Sequence, residues 1–273
     1  MRDPSAPRQP LFRVARSLTG LLLLAGGAAW AAPGDARSAT ASRTASESLD
    51  ALVARHVEAR GGRKAIEALD NLELDLSIVE PTFAVKGLYR ADRKGRMRID
   101  ILVEGRRVFS EAYDGHEGRK LDEGATQPDP EPSAQGTRAL RNSARLPTKI
   151  LGLHEMRSNG HRLESAGRET VASVSYHVVV LTLDTGETFR YYLDPDTFLI
   201  ARERVTKALH PDVDPTPTTI ETVYGDFRKI GGVVFAFHAE ETDMATGKLL
   251  QTSTILAGRP NRPAEDAVFR LEK

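Results

Sequence analysis

The sequence contains no cysteine among its 273 residues. This absence excludes disulfide bonds, thiolate nucleophiles, iron–sulfur clusters and zinc sites that use cysteine ligands. The sequence also has no net charge, because 38 acidic residues balance 38 basic ones. Nothing at this level therefore indicates a protein that binds nucleic acid or the surface of a membrane. Without disulfides, the hydrophobic core alone must hold the fold together.

Motifs of common catalytic sites are also missing from the sequence. No G-x-S-x-G, G-x-x-x-x-G-K-[ST] or G-x-G-x-x-G pattern occurs. His154-Glu155 is not followed by a second histidine one helical turn later, because Ser158 stands there. Asp212 and Asp214 offer too few oxygen ligands for a calcium loop. The sequence therefore predicts no catalytic residue, no metal site and no cofactor.

The apolar run near the N-terminus is short. It covers 15 residues from Leu18 to Ala32, fewer than the roughly 20 that a membrane-spanning helix needs. Four arginines precede it, and Ala29-Trp30-Ala31 supplies an A-x-A cleavage pattern, a layout typical of a secretory signal. We expect residues 1–31 to be a cleaved signal peptide, with an N-terminal anchor as the alternative. The small polar residues 32–46 are predicted to form a flexible leader.

Two short helices are predicted on either side of a glycine pair. Apolar residues recur with helical spacing before the pair, at Leu49, Leu52, Val53, His56 and Val57. A shorter stripe of Ala65, Ile66 and Leu69 follows the pair. Gly61 stands just past the first helix, where the backbone needs a left-handed conformation. We expect the two helices to meet there at an angle. On this stripe His56 is interpreted as a core histidine.

From residue 72 onwards the apolar period changes to two, as in antiparallel strands with one solvated face. Strands are predicted at 72–79, 83–91, 95–103, 106–115, 116–121, 161–168, 174–183, 187–193, 198–206, 218–228, 233–242 and 249–257. The alternation is weaker at 106–121, and the expected total is about ten or eleven strands. A proline-rich loop at 124–136 and a helix at 138–145 interrupt the series, and 210–217 is predicted to be an exposed loop.

The order of these parts resembles a known family, as do three short motifs. The motifs are A-R-G-G-x-x-A-I-x-x-L at 59–69, YYLDPDTFLIARE at 191–203 and YGDFRKIGGVVFAF at 224–237. Together they are similar to the outer-membrane lipoprotein-sorting superfamily, the LolA-like proteins of the bacterial periplasm. The resemblance implies an α+β, mostly β fold: an incomplete antiparallel barrel closed on its concave face by helices. It implies a single domain over residues 47–273.

The resemblance also implies a function in the periplasm. It favours a carrier whose apolar cavity binds a lipid or the acyl chain of a lipoprotein, with an inner- or outer-membrane protein as a further partner. A regulatory or protein-interaction module of the same fold is the alternative. A hydrolase with a site assembled across strands is a third hypothesis, which no motif supports.

The apolar face of the sheet carries the candidate binding residues. Two short helices cannot cover about ten strands, so the segment 138–153 must cover the rest or act as a lid. Any apolar face left uncovered needs a ligand or partner. The predicted wall residues are Leu74, Leu76, Val85, Tyr89, Met97, Ile99, Phe189 and Tyr191. For each of them, a place in an ordinary core is the competing interpretation.

Overall fold

A computed structural model describes residues 47–123, 132–212, 214–263 and 265–271 of the protein. The predicted signal peptide (1–31), the predicted leader (32–46) and most of the proline-rich loop (124–131) lie outside these residues. Among the described residues, no helix combines the length and apolar character needed to cross a membrane.

Within the described ranges, one antiparallel sheet of twelve strands forms the body of the structure. Its strands are β1 (Asn71–Glu80), β2 (Phe83–Asp92), β3 (Met97–Val103), β4 (Arg106–Tyr113), β5 (Gly118–Asp122), β6 (Arg162–Val171), β7 (Val174–Thr182), β8 (Thr188–Leu193), β9 (Ile200–His210), β10 (Asp214–Ile230), β11 (Val233–Asp243) and β12 (Leu249–Pro260). They are ordered β5-β4-β3-β2-β1-β12-β11-β10-β9-β8-β7-β6. The two edge strands, β5 and β6, do not pair with each other among the described residues, so the barrel is incomplete, as expected. Both weakly alternating segments form strands, which raises the total above the ten or eleven predicted.

The predicted loop at 210–217 is wrong in its second half. β10 begins at Asp214, which pairs with His210, and Pro217 pairs with Ala208. The pairing register shifts between Asp214 and Pro217. Because proline lacks the backbone N–H, such an irregularity is where a strand tolerates it. Pro215 and Pro217 therefore lie within an irregular strand end, and Pro211 lies in the turn before it.

The first and last strands pair at the centre of the sheet. Leu72 of β1 lies opposite Pro260 of β12, and this pairing joins the two meanders β1–β5 and β6–β12. Asn261 secures the junction, because its Oδ1 accepts from the Asp70 N–H and its Nδ2 donates to the Ala68 carbonyl, both at 2.8 Å.

Three α-helices and two 3₁₀ turns accompany the sheet in the described part of the chain. They are α1 (Leu49–Ala59), α2 (Arg63–Glu67), α3 (Ala134–Ala144), and the turns Leu153–Glu155 and Asp266–Phe269. Ser48 caps α1, since its hydroxyl accepts from the Ala51 N–H at 3.2 Å. Ser133 caps α3 in the same way through the Gly136 N–H at 3.0 Å. This cap starts α3 at Ala134, four residues earlier than predicted.

The glycine pair between α1 and α2 has the predicted backbone. Gly61 has φ +114° and Gly62 has φ +87°, a region that L side chains rarely adopt. A β-carbon at Gly61 would lie 2.2 Å from the carbonyl oxygen of Gly232, in the turn between β10 and β11. The Val234 N–H donates to the Arg60 carbonyl at 2.8 Å beside this contact. The pair thus turns the chain and lets α1 rest against a hairpin turn.

The two faces of the sheet differ as the alternation predicts. The concave face and the helices enclose a core in which Leu52, Ile66, Met97 and Phe189 are at most 1% exposed. The convex face carries ion pairs, such as Arg90 with Glu73 at 2.8 Å.

Candidate ligand-binding cavity

A cavity of about 140 Å³ lies on the concave face beneath α1. An engineered cavity of about 150 Å³ takes up benzene, so this volume suits a small apolar group rather than a whole lipid. Its apolar wall comes from the central strands: Leu72, Leu74, Leu76 and Ile78 of β1, Tyr89 of β2, Ile99 of β3 and Ile255 of β12. Strand alternation places these side chains on one face, because successive residues point to opposite sides.

Four of the eight predicted wall residues line this cavity. They are Leu74, Leu76, Tyr89 and Ile99. The other four lie in the core outside the lining. Val85 pairs with Ile78 and is 7% exposed, and Met97 is fully buried. Phe189 and Tyr191 stack with ring centroids 6.1 Å apart and are also fully buried.

Residues 147–151, here called the cover segment, follow α3 and close one side of the cavity. Pro147, Thr148 and Lys149 belong to its lining. Arg60 holds the segment through three backbone carbonyls. Its Nη1 donates to Leu151 at 2.8 Å and to Pro147, and its Nη2 donates to Lys149 at 3.1 Å. One side chain at the end of α1 therefore fixes the cover.

The Arg60 guanidinium is almost completely buried, with 4% of the residue exposed. Burial lowers the pKa of Arg60 to about 10, and nearby Glu155 opposes the change. The group therefore stays charged at neutral pH. A cation without a carboxylate hydrogen bond is expensive to bury, so the three carbonyl acceptors are what make this position tolerable.

His56 lies one helical turn before Arg60 and also lines the cavity. Its Nδ1 lies 2.8 Å from the Phe198 carbonyl, which can only accept, so Nδ1 carries the proton. Burial, followed by the charge of Arg60, lowers the pKa of His56 to about 3. The ring is therefore neutral, and its buried Nε2 is an acceptor with no partner among the described residues. His56 is therefore buried in the core, as predicted, but only its Nδ1 has a hydrogen-bond partner among the described residues.

The cavity has a polar end formed by the cover segment, β10 and β11. Lys149, Tyr224 and Glu241 contribute to it. The Lys149 ammonium lies 5.6 Å from the centre of the Tyr89 ring. Burial lowers the pKa of Lys149, and the charges of Glu203 and Glu241 oppose this effect. The hydroxyl of Tyr224 already has a partner outside the cavity lining, because it donates to Glu203 at 3.0 Å.

One of the buried carboxyl groups, that of Glu187, lies outside the cavity lining. Glu187, just before β8, is 3% exposed and accepts a hydrogen bond from the Asn142 amide of α3. Burial raises the pKa of Glu187 to about 7, while the Asn142 hydrogen bond opposes the rise. No group of three or more histidine, aspartate or glutamate side chains suited to a metal ion occurs in the described ranges.

The polar part of this site is not predicted by the sequence patterns. Arg60 was visible only as part of the A-R-G-G motif, and Lys149 only as a residue after Pro147. A charged residue at the last turn of an amphipathic helix, directly before a helix-ending glycine, was the available signal for Arg60. No local pattern shows that its partners lie about 90 residues away.

Comparison with solved structures identifies the fold. A LolA superfamily protein from Nitrosomonas europaea aligns over 81% of this chain and 97% of its own, with a TM-score of 0.52. The chain has the fold of the LolA superfamily. Sequence identity is only 11%, so the likeness concerns the fold alone. The fold that the resemblance of the three motifs implied is therefore confirmed.

A second LolA-like structure gives a similar alignment. An outer membrane lipoprotein-sorting protein domain from Vibrio parahaemolyticus covers 78% of this chain and 95% of its own, at 11% identity and a TM-score of 0.48. No protein-family model and no curated protein matches the sequence itself.

Proposed function

We propose that this LolA-like protein is a periplasmic carrier that binds a lipid or the acyl chain of a lipoprotein. The observation that carries the proposal is the apolar wall of β1–β3, which borders a cavity on the concave face instead of packing fully against the helices. An exported location rests on the predicted signal peptide. Leu74, Leu76, Tyr89 and Ile99 are the proposed contacts for the chain.

The cover segment must move for a full acyl chain to enter, because the cavity measures only about 140 Å³. Release from Arg60 breaks three hydrogen bonds to a charged donor, each worth roughly 1.5–3 kcal/mol. Burying ten methylenes of an acyl chain stabilises the complex by roughly 8 kcal/mol before the ordering costs are subtracted. The two amounts are comparable, as reversible loading requires.

The proposal is tested by blocking the cavity. Ser253 of β12 lines it, and Ser253→Phe would place a ring inside. Thr254→Phe is the matched control, since the adjacent residue of a strand points to the opposite face. We expect wild type and Thr254→Phe, purified without detergent, to show a bound lipid by native mass spectrometry and lipid extraction. Ser253→Phe should carry none.

A wild-type protein without any bound lipid would contradict the proposed carrier function. If the wild-type protein has a ligand-free mass and does not take up a fluorescent fatty acid, it is not a lipid carrier.

A protein-interaction or regulatory module is the second candidate. Val79, Met244 and Leu249 are 43–45% exposed at one end of the sheet, where β1, β11 and β12 finish or begin. Exposed apolar side chains in one region favour a protein partner. A Val79→Ser, Leu249→Ser double variant should then lose a partner captured by crosslinking while keeping any bound lipid. No observation favours a hydrolase.

A further inference from the structure

The charges in the cavity lining are unequal. Its titratable side chains include two cations, Arg60 and Lys149, and one carboxylate, Glu241. His56 adds no charge, because its pKa is lowered to about 3. Arg60 is occupied by three carbonyls of the cover segment. In the closed arrangement of the structure, the cation in the lining without such acceptors is therefore Lys149, which lies on the cover segment itself.

Lys149 lacks a strong partner of its own. Within the described ranges, no carboxylate lies within 4.0 Å of its ammonium, and no hydrogen bond from that nitrogen occurs. Its contact is the Tyr89 ring, 5.6 Å away, which is a weak interaction for a partly buried ammonium. An unpaired cation facing a low-dielectric cavity costs free energy that an anion would recover.

Tyr89 supplies a second unused donor, the hydroxyl of the ring whose centre lies 5.6 Å from this ammonium. The residue is 2% exposed, and its hydroxyl has no hydrogen-bond partner among the described residues. Buried polar groups normally have partners, so a donor without one at a cavity wall indicates a missing acceptor. The same side chain belongs to the apolar wall along which the proposed acyl chain would lie.

We propose that the cavity binds an acyl amphiphile by its anionic head, with a carboxylate or phosphate oxygen on the Lys149 ammonium and the Tyr89 hydroxyl. This inference rests on the proposed carrier function and adds the head-group chemistry. The chain then extends from Tyr89 along Leu74 and Leu76. Glu241, at the same end of the cavity, and the buried Glu203 both weaken the preference for an anion, because their charges act on Lys149. Neither carboxylate lies within 4.0 Å of the Lys149 ammonium, so its hydrogen-bonding positions stay open to a ligand.

The test measures head-group preference directly. Dodecanoate and dodecan-1-ol have the same chain and differ in the charge of the head. Their dissociation constants are measured by calorimetry at pH 8 for wild type, Lys149→Met and Lys229→Met. The Lys229→Met control removes an equal charge from an exposed position on β10. The deciding quantity is the ratio of the two dissociation constants in each protein.

We expect Lys149→Met to weaken dodecanoate binding roughly tenfold to a hundredfold and dodecan-1-ol binding less than about twofold. Lys229→Met should leave both unchanged. Glu241→Gln should act in the opposite direction and tighten dodecanoate binding a few-fold. A thermal melt of each variant establishes that it is folded. If Lys149→Met does not fold, the salt dependence of dodecanoate binding to wild type decides, since an ion pair weakens with salt.

The failures of the two proposals differ. If neither compound binds wild type, the carrier function fails and the head-group inference fails with it. If both compounds bind and Lys149→Met keeps the wild-type ratio, the carrier stands and the head-group inference is overturned. Dodecyl phosphate, measured in parallel, distinguishes the sources. Tighter binding than dodecanoate indicates a phospholipid head, and weaker binding indicates a fatty acid.

Discussion

Two regions of the concave face are built from the same sequence pattern and have different interiors. The region at β1–β3, here called the hollow end, borders the cavity, whereas the region at β7 and β8, here called the packed end, contains the stacked rings of Phe189 and Tyr191. At the packed end two large aromatic rings fill the interior, whereas the hollow end contributes the smaller aliphatic side chains of Leu74, Leu76 and Ile99. Alternation therefore decides which residues face inwards, and side-chain volume decides whether they leave a cavity.

The largest expected loss of stability comes from displacing α1, the helix above the cavity at the hollow end. Gly61→Val places a β-carbon 2.2 Å from the Gly232 carbonyl oxygen and forces a β-branched residue to φ +114°. We expect a loss of about 4 kcal/mol or more in the free energy of unfolding, measured with denaturant.

The control separates the clash from the backbone strain. Gly160 has φ +84° and nothing within 4 Å of an added β-carbon. Gly160→Val should therefore cost only about 1–3 kcal/mol. Equal losses in the two variants would contradict the proposed contact between α1 and the β10–β11 turn.

A pair of identical substitutions compares the two ends directly. Leu181 at the packed end is fully buried, and Leu181→Ala should cost about 2–5 kcal/mol because it leaves a void. Leu76 is partly buried and already borders the cavity. Leu76→Ala should cost only about 1 kcal/mol. Urea unfolding of both variants checks the difference, and a larger loss for Leu76→Ala would overturn it.

Arg60→Met tests what keeps the hollow end covered. The substitution leaves three carbonyls of the cover segment without their donor. We expect a loss of about 2–4 kcal/mol and faster amide exchange in residues 147–151, measured by mass spectrometry. Arg63→Met is the control, since its ion pair with Glu67 is exposed and worth less than about 0.5 kcal/mol. Unchanged exchange in the cover segment would refute the role of Arg60.

The packed end has a pH dependence of its own. Burial raises the pKa of Glu187 from 4.5 to about 7, so between these values the folded protein holds a proton that the unfolded chain has released. Stability from this group is present at low pH and is lost as pH rises through about 7. Glu187→Gln should flatten this slope and stabilise the protein at pH 8 by about 1–3 kcal/mol. Denaturation at pH 5 and pH 8 measures it, and an unchanged slope would count against the assignment.

The fold was largely predictable because its patterns are local. The stripe from Leu49 to Val57 predicted α1, the alternation predicted the strands, and Gly61 predicted the break. The start of β10 was missed because its prolines resemble a loop. The pairing of β1 with β12 joins distant segments, so no local pattern shows it.

The cavity was less predictable, for a different reason. The wall residues Leu74 and Phe189 follow the same alternation, yet only Leu74 borders the cavity. That outcome depends on how fully the side chains of neighbouring strands and of the helices fill the space above the sheet. The polar groups depend on contacts distant in sequence, such as those of Arg60 with residues 147–151.

The central position of β12 constrains the order in which the sheet is completed. Because β1 pairs with the last strand, the middle of the sheet cannot form until Leu249–Pro260 has been synthesised. Pairing across so much of the chain raises the contact order and slows folding relative to a simple meander. Until then β1 and β11 each present an unsatisfied backbone edge, the usual template for aggregation. A chain truncated before Leu249 would keep both edges permanently exposed.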